Sequence, residues 1–144
     1  MTRGTTILIT NNSMIETTEF NGDMYLEPNS NGQQMLDLLK KVKTEKDFKQ
    51  AIKKFNQDNF GYKEKLFHTS RDDNSITFTE QSYFKRWFSD YLFFLNISHK
   101  QIKFIDIEGK SKILKPNQII IFYFGVYYKL TQQTIGQRSK IANT

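Results

Sequence analysis

Few residues in this chain have the types and spacing that chemistry needs. Glu108, Gly109 and Lys110, with Asp90 as an upstream carboxylate, have the outline of a magnesium-dependent nuclease site, where two carboxylates hold the metal and a lysine assists. Such groups are normally fixed along a rigid strand, whereas Gly109 puts this trio in a turn, so a solvated edge is the better reading. Gly109-Lys110-Ser111 also has the form of the end of a phosphate-binding loop, but that loop needs a glycine where Phe104 stands. Thr2 would be an N-terminal nucleophile only after loss of Met1; it otherwise reads as strand lead-in. His68 and His99 are the two histidines, and neither has acidic or histidine neighbours at zinc-ligand spacing. There is no cysteine, which excludes thiol catalysis, disulfides and Cys-ligated metals. The expectation is a protein that is not an enzyme, with no catalytic residue, no cofactor and no metal.

Binding chemistry has more material. Seven lysines, at 40, 41, 43, 46, 49, 53 and 54, crowd one stretch. Lys46, Lys49 and Lys53 would line an exposed helix face opposite Phe48, Ile52 and Phe55, where they could meet phosphates or an acidic protein surface. Asp37, Glu45 and Asp47 dilute the stripe, which favours a solvated face over nucleic-acid binding. Aromatics from Tyr83 to Phe94 interleave with Lys85 and Arg86, a pattern usable for stacking bases, although core packing accounts for most of them. The formal charge of +6 is uneven: residues 1–33 set Arg3 against Glu16, Glu19, Asp23 and Glu27, and the basic surplus lies downstream.

The elements that must position these groups follow from pattern. Runs 5–11 and 14–20 are rich in strand formers and flank Asn11-Asn12-Ser13, which predicts an N-terminal hairpin. Asn21 to Gly32 is a long loop of turn-forming residues. Ser30 and Gln33 fit a capping box for a helix over 32–42, and Thr44 with Asp47 opens a second helix over 45–57. Segments 63–69 and 75–79 around a polar loop predict another hairpin. A short helix over 80–88 and a strand over 90–97 come next, and then a strand from Ile102 that pairs back across Ser98-His99-Lys100. Glu108-Gly109-Lys110 is a turn, and the apolar run 119–129 reads as the sheet's central strand, with Gly125 at a bulge or close approach. The polar residues 131–144 form a tail behind one domain, 1–130.

At 144 residues the chain suits a single domain with a real core, and an aromatic fraction of 15% supplies large side chains to bury. The fold class expected is α+β: a mainly antiparallel sheet with an N-terminal hairpin and two or three helices packed on one face. The opening residues lack the apolar run of a signal peptide, and the run 119–128 is too short to span a membrane, so the expected compartment is the cytoplasm.

The strand Thr2-Arg3-Gly4-Thr5, the turn-bounded Glu19-Phe20-Asn21-Gly22-Asp23 and the Pro28-to-Gly32 loop resemble a family of small uncharacterised bacterial and phage proteins. That family's pattern is a Thr-Arg-Gly strand, then Phe/Trp-Asp-Gly-Tyr, then Pro-x-Gly; here Asn21 and Asp23 replace the usual Asp and Tyr. Ser89-Asp90-Tyr91 before an apolar strand is similar to the family's second half. The resemblance implies an accessory role of phage or mobile-element origin, such as an anti-CRISPR-type inhibitor of a host defence nuclease. The partner expected is a host or defence protein, with nucleic acid as the alternative and no membrane; oligomeric state is left open. The expected contact residues are Asn21, Asp23 and Tyr25 of the loop with Lys46, Lys49 and Lys53.

Overall fold

Short β-branched runs broken by Asn, Ser and Gly form strands because no helical stripe is available to bury. In the computed structural model, which describes residues 2–61, 63, 65–78 and 89–123 and the backbone of 126–131, the chain opens with β1 (Arg3–Ile9), β2 (Ser13–Thr17) and β3 (Phe20–Asn21). β2 and β3 both pair antiparallel with β1, on one edge. The expected second strand is thus split, and Thr17 Oγ1 fills the break by accepting the Thr6 N–H at 3.0 Å.

Two helices follow. α1 (Asn31–Leu39) has Ser30 at its N-cap, but the Ser30 hydroxyl makes no capping bond, so the capping box read there is absent. α2 (Glu45–Asn59) carries a full box: Asp47 N–H donates to Thr44 Oγ1 and Thr44 N–H donates to Asp47 Oδ2, each at 3.1 Å. It ends where the Asn56 carbonyl accepts the N–H groups of Phe60 and Gly61, with Gly61 in the left-handed region at φ 69°. Met35, Leu36 and Leu39 of α1 and Phe48, Ile52 and Phe55 of α2 bury their faces together.

The remaining strands are β4 (Leu66–Ser70), β5 (Ser75–Thr77), β6 (Tyr91–Asn96), β7 (Ile102–Ile105), β8 (Ser111–Leu114), β9 (Ile119–Tyr123) and β10 (Val126–Thr131). They make a seven-stranded sheet, ordered β10-β9-β6-β1-β2-β4 with β3 also on β1, and a three-stranded sheet, β5-β7-β8. The fold is α+β as expected. Six of the eight described strand pairs are antiparallel; β1–β6 and β5–β7 are parallel, so both sheets are mixed.

Three expected pairings are corrected. β4 and β5 are not a hairpin: β4 takes the free edge of β2, while Ile76 and Phe78 follow their apolar side chains into the second core. The link between them is stapled at one end by Arg71 N–H to the Asn12 carbonyl and at the other by Lys103 N–H to the Asn74 carbonyl. β7 does not pair back on β6, because both edges of β6 are taken, by β1 and β9. Run 119–129 is not one central strand but two paired strands, β9 and β10, and the centre of the sheet is the β1–β6 pair.

The molecule therefore has three layers and two cores on the faces of one sheet. Leu8, Ile15, Tyr91, Phe93, Leu95, Ile119 and Ile121 meet the helices; Ile7, Ile9, Leu92, Phe94, Ile120 and Phe122 meet the small sheet. The second core is aromatic at its centre, where Phe78 lies 4.1 Å from Phe122 and Phe94 lies 4.9 Å edge-on from Phe104, ring centre to ring centre. Both described helices sit on the first face, as expected. The expected helix 80–88, Gly125 and the residues of the expected tail after Thr131 lie outside the described residues. No described helix is long and apolar enough to cross a membrane.

Candidate functional site

The groups with a catalytic outline are dispersed or already engaged. Asp90 lies just before β6, where its Oδ2 accepts the Arg3 N–H at 2.8 Å. Glu108 and Lys110 lie in the β7–β8 turn, with an exposed 3.7 Å ion pair between them. Asp106 serves that turn: its Oδ1 accepts the N–H groups of Glu108 and Lys110 at 2.9 Å each. Among the described residues no three His, Asp or Glu side chains come together to hold a metal ion. Thr2 is buried, and its carbonyl accepts the Gly22 N–H, as a strand lead-in should. His68 is exposed on β4, and the exposed His99 donates its backbone N–H to Asn11 Oδ1.

Sequence reasoning missed two polar clusters. At the start of β1 and β6, Arg3 lies 3.9 Å from Glu19 and 4.0 Å from Asp90, and the Ser89 hydroxyl bonds Glu19 and the hydroxyl of Thr5. These contacts, with the Arg3 N–H on Asp90, tie the starts of β1 and β6 to the residues just before β3. At the opposite end, the loops after β1, β4 and β6 enclose a cleft of about 20 Å³, room for about one water. The Arg71 guanidinium in its lining is held within its own loop by Asp73 at 2.6 Å and by the Ser75 carbonyl, while the Arg71 backbone N–H donates to the Asn12 carbonyl of the loop after β1 at 2.9 Å.

The loop between β3 and α1 is different, because it is firmly held while its tip is left in solvent. Met24 points inward and is fully buried. It packs so close to Gly4 that a Cβ there would meet the Met24 methyl at 2.9 Å. Gly32, at the start of α1, passes directly under the Met24 and Tyr25 carbonyl oxygens, and a side chain there would overlap both. Gly32 N–H donates to the Asp23 carbonyl at 3.2 Å, and Asn31 Nδ2 to the Gly22 carbonyl at 2.9 Å. Asp23 at φ 50° and Asn29 at φ 67° supply the left-handed turns on either side of the tip. Between them Tyr25 is 43% exposed. Asn21 and Asp23 are exposed beside it.

Lys46, Lys49 and Lys53 are all exposed on α2, on the side away from Phe48, Ile52 and Phe55. Lys49 pairs with Glu45 at 3.0 Å and Lys54 with Asp58 at 3.1 Å. The four lysines of α2 face three carboxylates, Glu45, Asp47 and Asp58, so the helix is only +1. The Asp47 carboxyl is held below the usual carboxylate range, chiefly by the backbone N–H of Lys43, with the Thr44 hydroxyl and N–H adding to it against some desolvation. The loop approaches the C-terminal end of the helix at Gly22, where a Cβ would touch the Phe60 ring at 3.5 Å. At 1.5 Å per residue Lys53 lies about 10 Å along the helix axis from Phe60 and Lys46 about 21 Å. Loop and lysines thus form an elongated surface rather than one patch.

Comparison with protein-family models, with curated proteins and with solved structures finds no match for this chain. The fold defines a class, a three-layer α+β domain, and the function has to be argued from its surfaces.

Proposed function

We propose that this chain is a non-enzymatic protein-binding module that works by occupying a partner's surface, with the loop of residues 21–32 as its contact site. The observation that carries this reading is Tyr25. A large amphipathic side chain is left exposed on a loop whose backbone is fixed by a buried Met24, a glycine close approach and two left-handed residues. Tyrosine is over-represented among residues that dominate interfaces, and a preordered loop loses little entropy when it binds. Asn21 and Asp23 supply polar rim contacts, and Lys53, Lys49 and Lys46 extend a cationic margin along α2.

The narrower reading, an inhibitor of a host defence nuclease encoded by a phage or mobile element, is supported by the likeness of the opening strands and loop to a phage-associated family. Affinity capture from bacterial lysate, with and without nuclease digestion, tests the general reading. A protein retained after digestion, and lost when Tyr25→Ala replaces the wild type, is the expected result. Truncation of a central interface tyrosine should weaken that partner by about 2 kcal/mol or more, some thirtyfold. Recovery of nucleic acid alone would replace this reading with direct nucleic-acid binding, and equal capture by Tyr25→Ala would remove the loop from it.

A further inference from the structure

A second surface, on the other side of the molecule's layers, is specified in more chemical detail. Every acidic residue lies at or before Glu108, so the whole formal charge of +6 is carried by the residues after it. Of these, Lys110, Lys112 and Lys115 stand on and beside β8, and all are exposed. The Lys110–Glu108 pair, with side chains 67% and 52% exposed, neutralises little in water.

β8 is one of the two edge strands of the small sheet, β5 being the other. The Asp106 N–H donates to the Lys110 carbonyl at 2.9 Å, which sets the phase of the ladder. Lys110, Lys112 and Leu114 turn their backbone groups toward β7, and Ser111 and Ile113 turn theirs outward. The far side of β7 agrees with that phase: Lys103 N–H donates to Asn74, and the Ile105 carbonyl accepts the Phe78 N–H. Ser111 and Ile113 are themselves exposed, Ile113 by 42%, and Ile107 at the turn by 55%. Edge strands of this kind are normally shielded, and lysines alone do not exclude a strand of opposite charge.

We propose that the β8 edge takes up an extended acidic segment of a partner protein as an added strand. The partner's backbone pairs with the outward N–H and C=O groups of Ser111 and Ile113. Side chains on one face of the added strand meet Lys110 and Lys112, and those on the other face lie beside Ile113. The partner segment therefore alternates carboxylate and aliphatic residues. A peptide fits better than a nucleic acid because donors and acceptors alternate along the edge. The outer face of the sheet, Ser75, Thr77, Lys103, Ile105, Ser111 and Ile113, also has no ring on which a base could stack. The proposal rests on the binding-module reading, but not on the Tyr25 loop.

Fluorescence anisotropy with the full chain tests it, using a labelled, capped peptide of about seven residues alternating Glu and Val. Ile113→Pro removes an outward N–H together with the exposed isoleucine side chain and takes no bond from the β7–β8 ladder, which circular dichroism checks; Lys112→Glu reverses one exposed charge without touching the backbone. The peptide should bind, each variant should weaken it about tenfold or more, and N-methylation of alternate peptide amides should abolish binding. Tyr25→Ala should bind it as wild type does, so failure here and failure of the loop reading are separate results. No binding, equal binding by both variants or by the N-methylated peptide, or binding of a single-stranded DNA of about 12 nucleotides in place of the peptide would each overturn the proposal.

Discussion

Gly32 shows how a single position couples the loop to the helix. By helix propensity alone, alanine in the first turn of α1 should stabilise the chain by up to about 1 kcal/mol over glycine. A Cβ at position 32 would overlap the carbonyl oxygens of Met24 and Tyr25, however, and backbone atoms cannot swing aside as a flexible side chain can. The overlap wins, and Gly32→Ala should cost about 3 kcal/mol, read from denaturant midpoints at unchanged m-value. A neutral or stabilising effect would show that the loop is not seated on α1 as described. This close approach was not legible in sequence, where Pro28 to Gly32 reads only as turn chemistry. Which of Met24 and Tyr25 points inward was equally hidden, since a loop has no periodicity to decide it. Asn96 is similar: a polar residue at the end of an apolar strand, it is buried, its Nδ2 donating to the carbonyls of Lys100 and Leu114 and its Oδ1 accepting from Ser98.

At the scale of elements, α2 is the part most fully written in the sequence. Phe48, Ile52 and Phe55 at helical spacing and the Thr44/Asp47 pair specify its face and its start, and the observed helix runs only two residues beyond the expected end. Thr44→Ala should cost about 1 kcal/mol, measured by thermal or urea unfolding, because it leaves the Asp47 N–H without its cap. Asp47 adds a pH dependence whose sign is fixed by its lowered pKa. A carboxyl with a lower pKa folded than unfolded contributes stability that is fully present above the unfolded value of 3.8 and is lost as pH falls through the folded value. Asp47→Asn should therefore reduce stability at neutral pH and flatten the decline below about pH 4. An acid limb identical to wild type would show that Asp47 does not carry that linkage. The lysine exposure on α2 was legible for the same reason as its core face. The reach of the β8 edge was not, because Lys110 to Ile113 resembles any polar turn until its pairing partner is known.

For the whole molecule, strand existence was largely legible, whereas strand partnership, apart from the N-terminal β1–β2 hairpin, was not. β1 and β6 are buried on both faces, so their sequences lose the alternation that would say which side chains face which layer. Nothing local says that Leu92 and Phe94 serve one core while Phe93 and Leu95 serve the other, and hence nothing local places β6 at the centre or sends β7 to a second sheet. That arrangement has a thermodynamic consequence, because two cores built on one sheet cannot be lost independently without exposing its face. Phe93 and Phe94 are adjacent, fully buried, and point into opposite cores. Each change to alanine should cost about 3–5 kcal/mol, and both should lower the midpoint of one shared transition. Far-ultraviolet circular dichroism and aromatic fluorescence followed together through urea unfolding make the comparison. Coincident curves for wild type and both variants are expected. A Phe94→Ala curve that splits into two transitions, with the helices outlasting the small sheet, would mean that the small sheet is a separate unit held on the large one only by its own contacts.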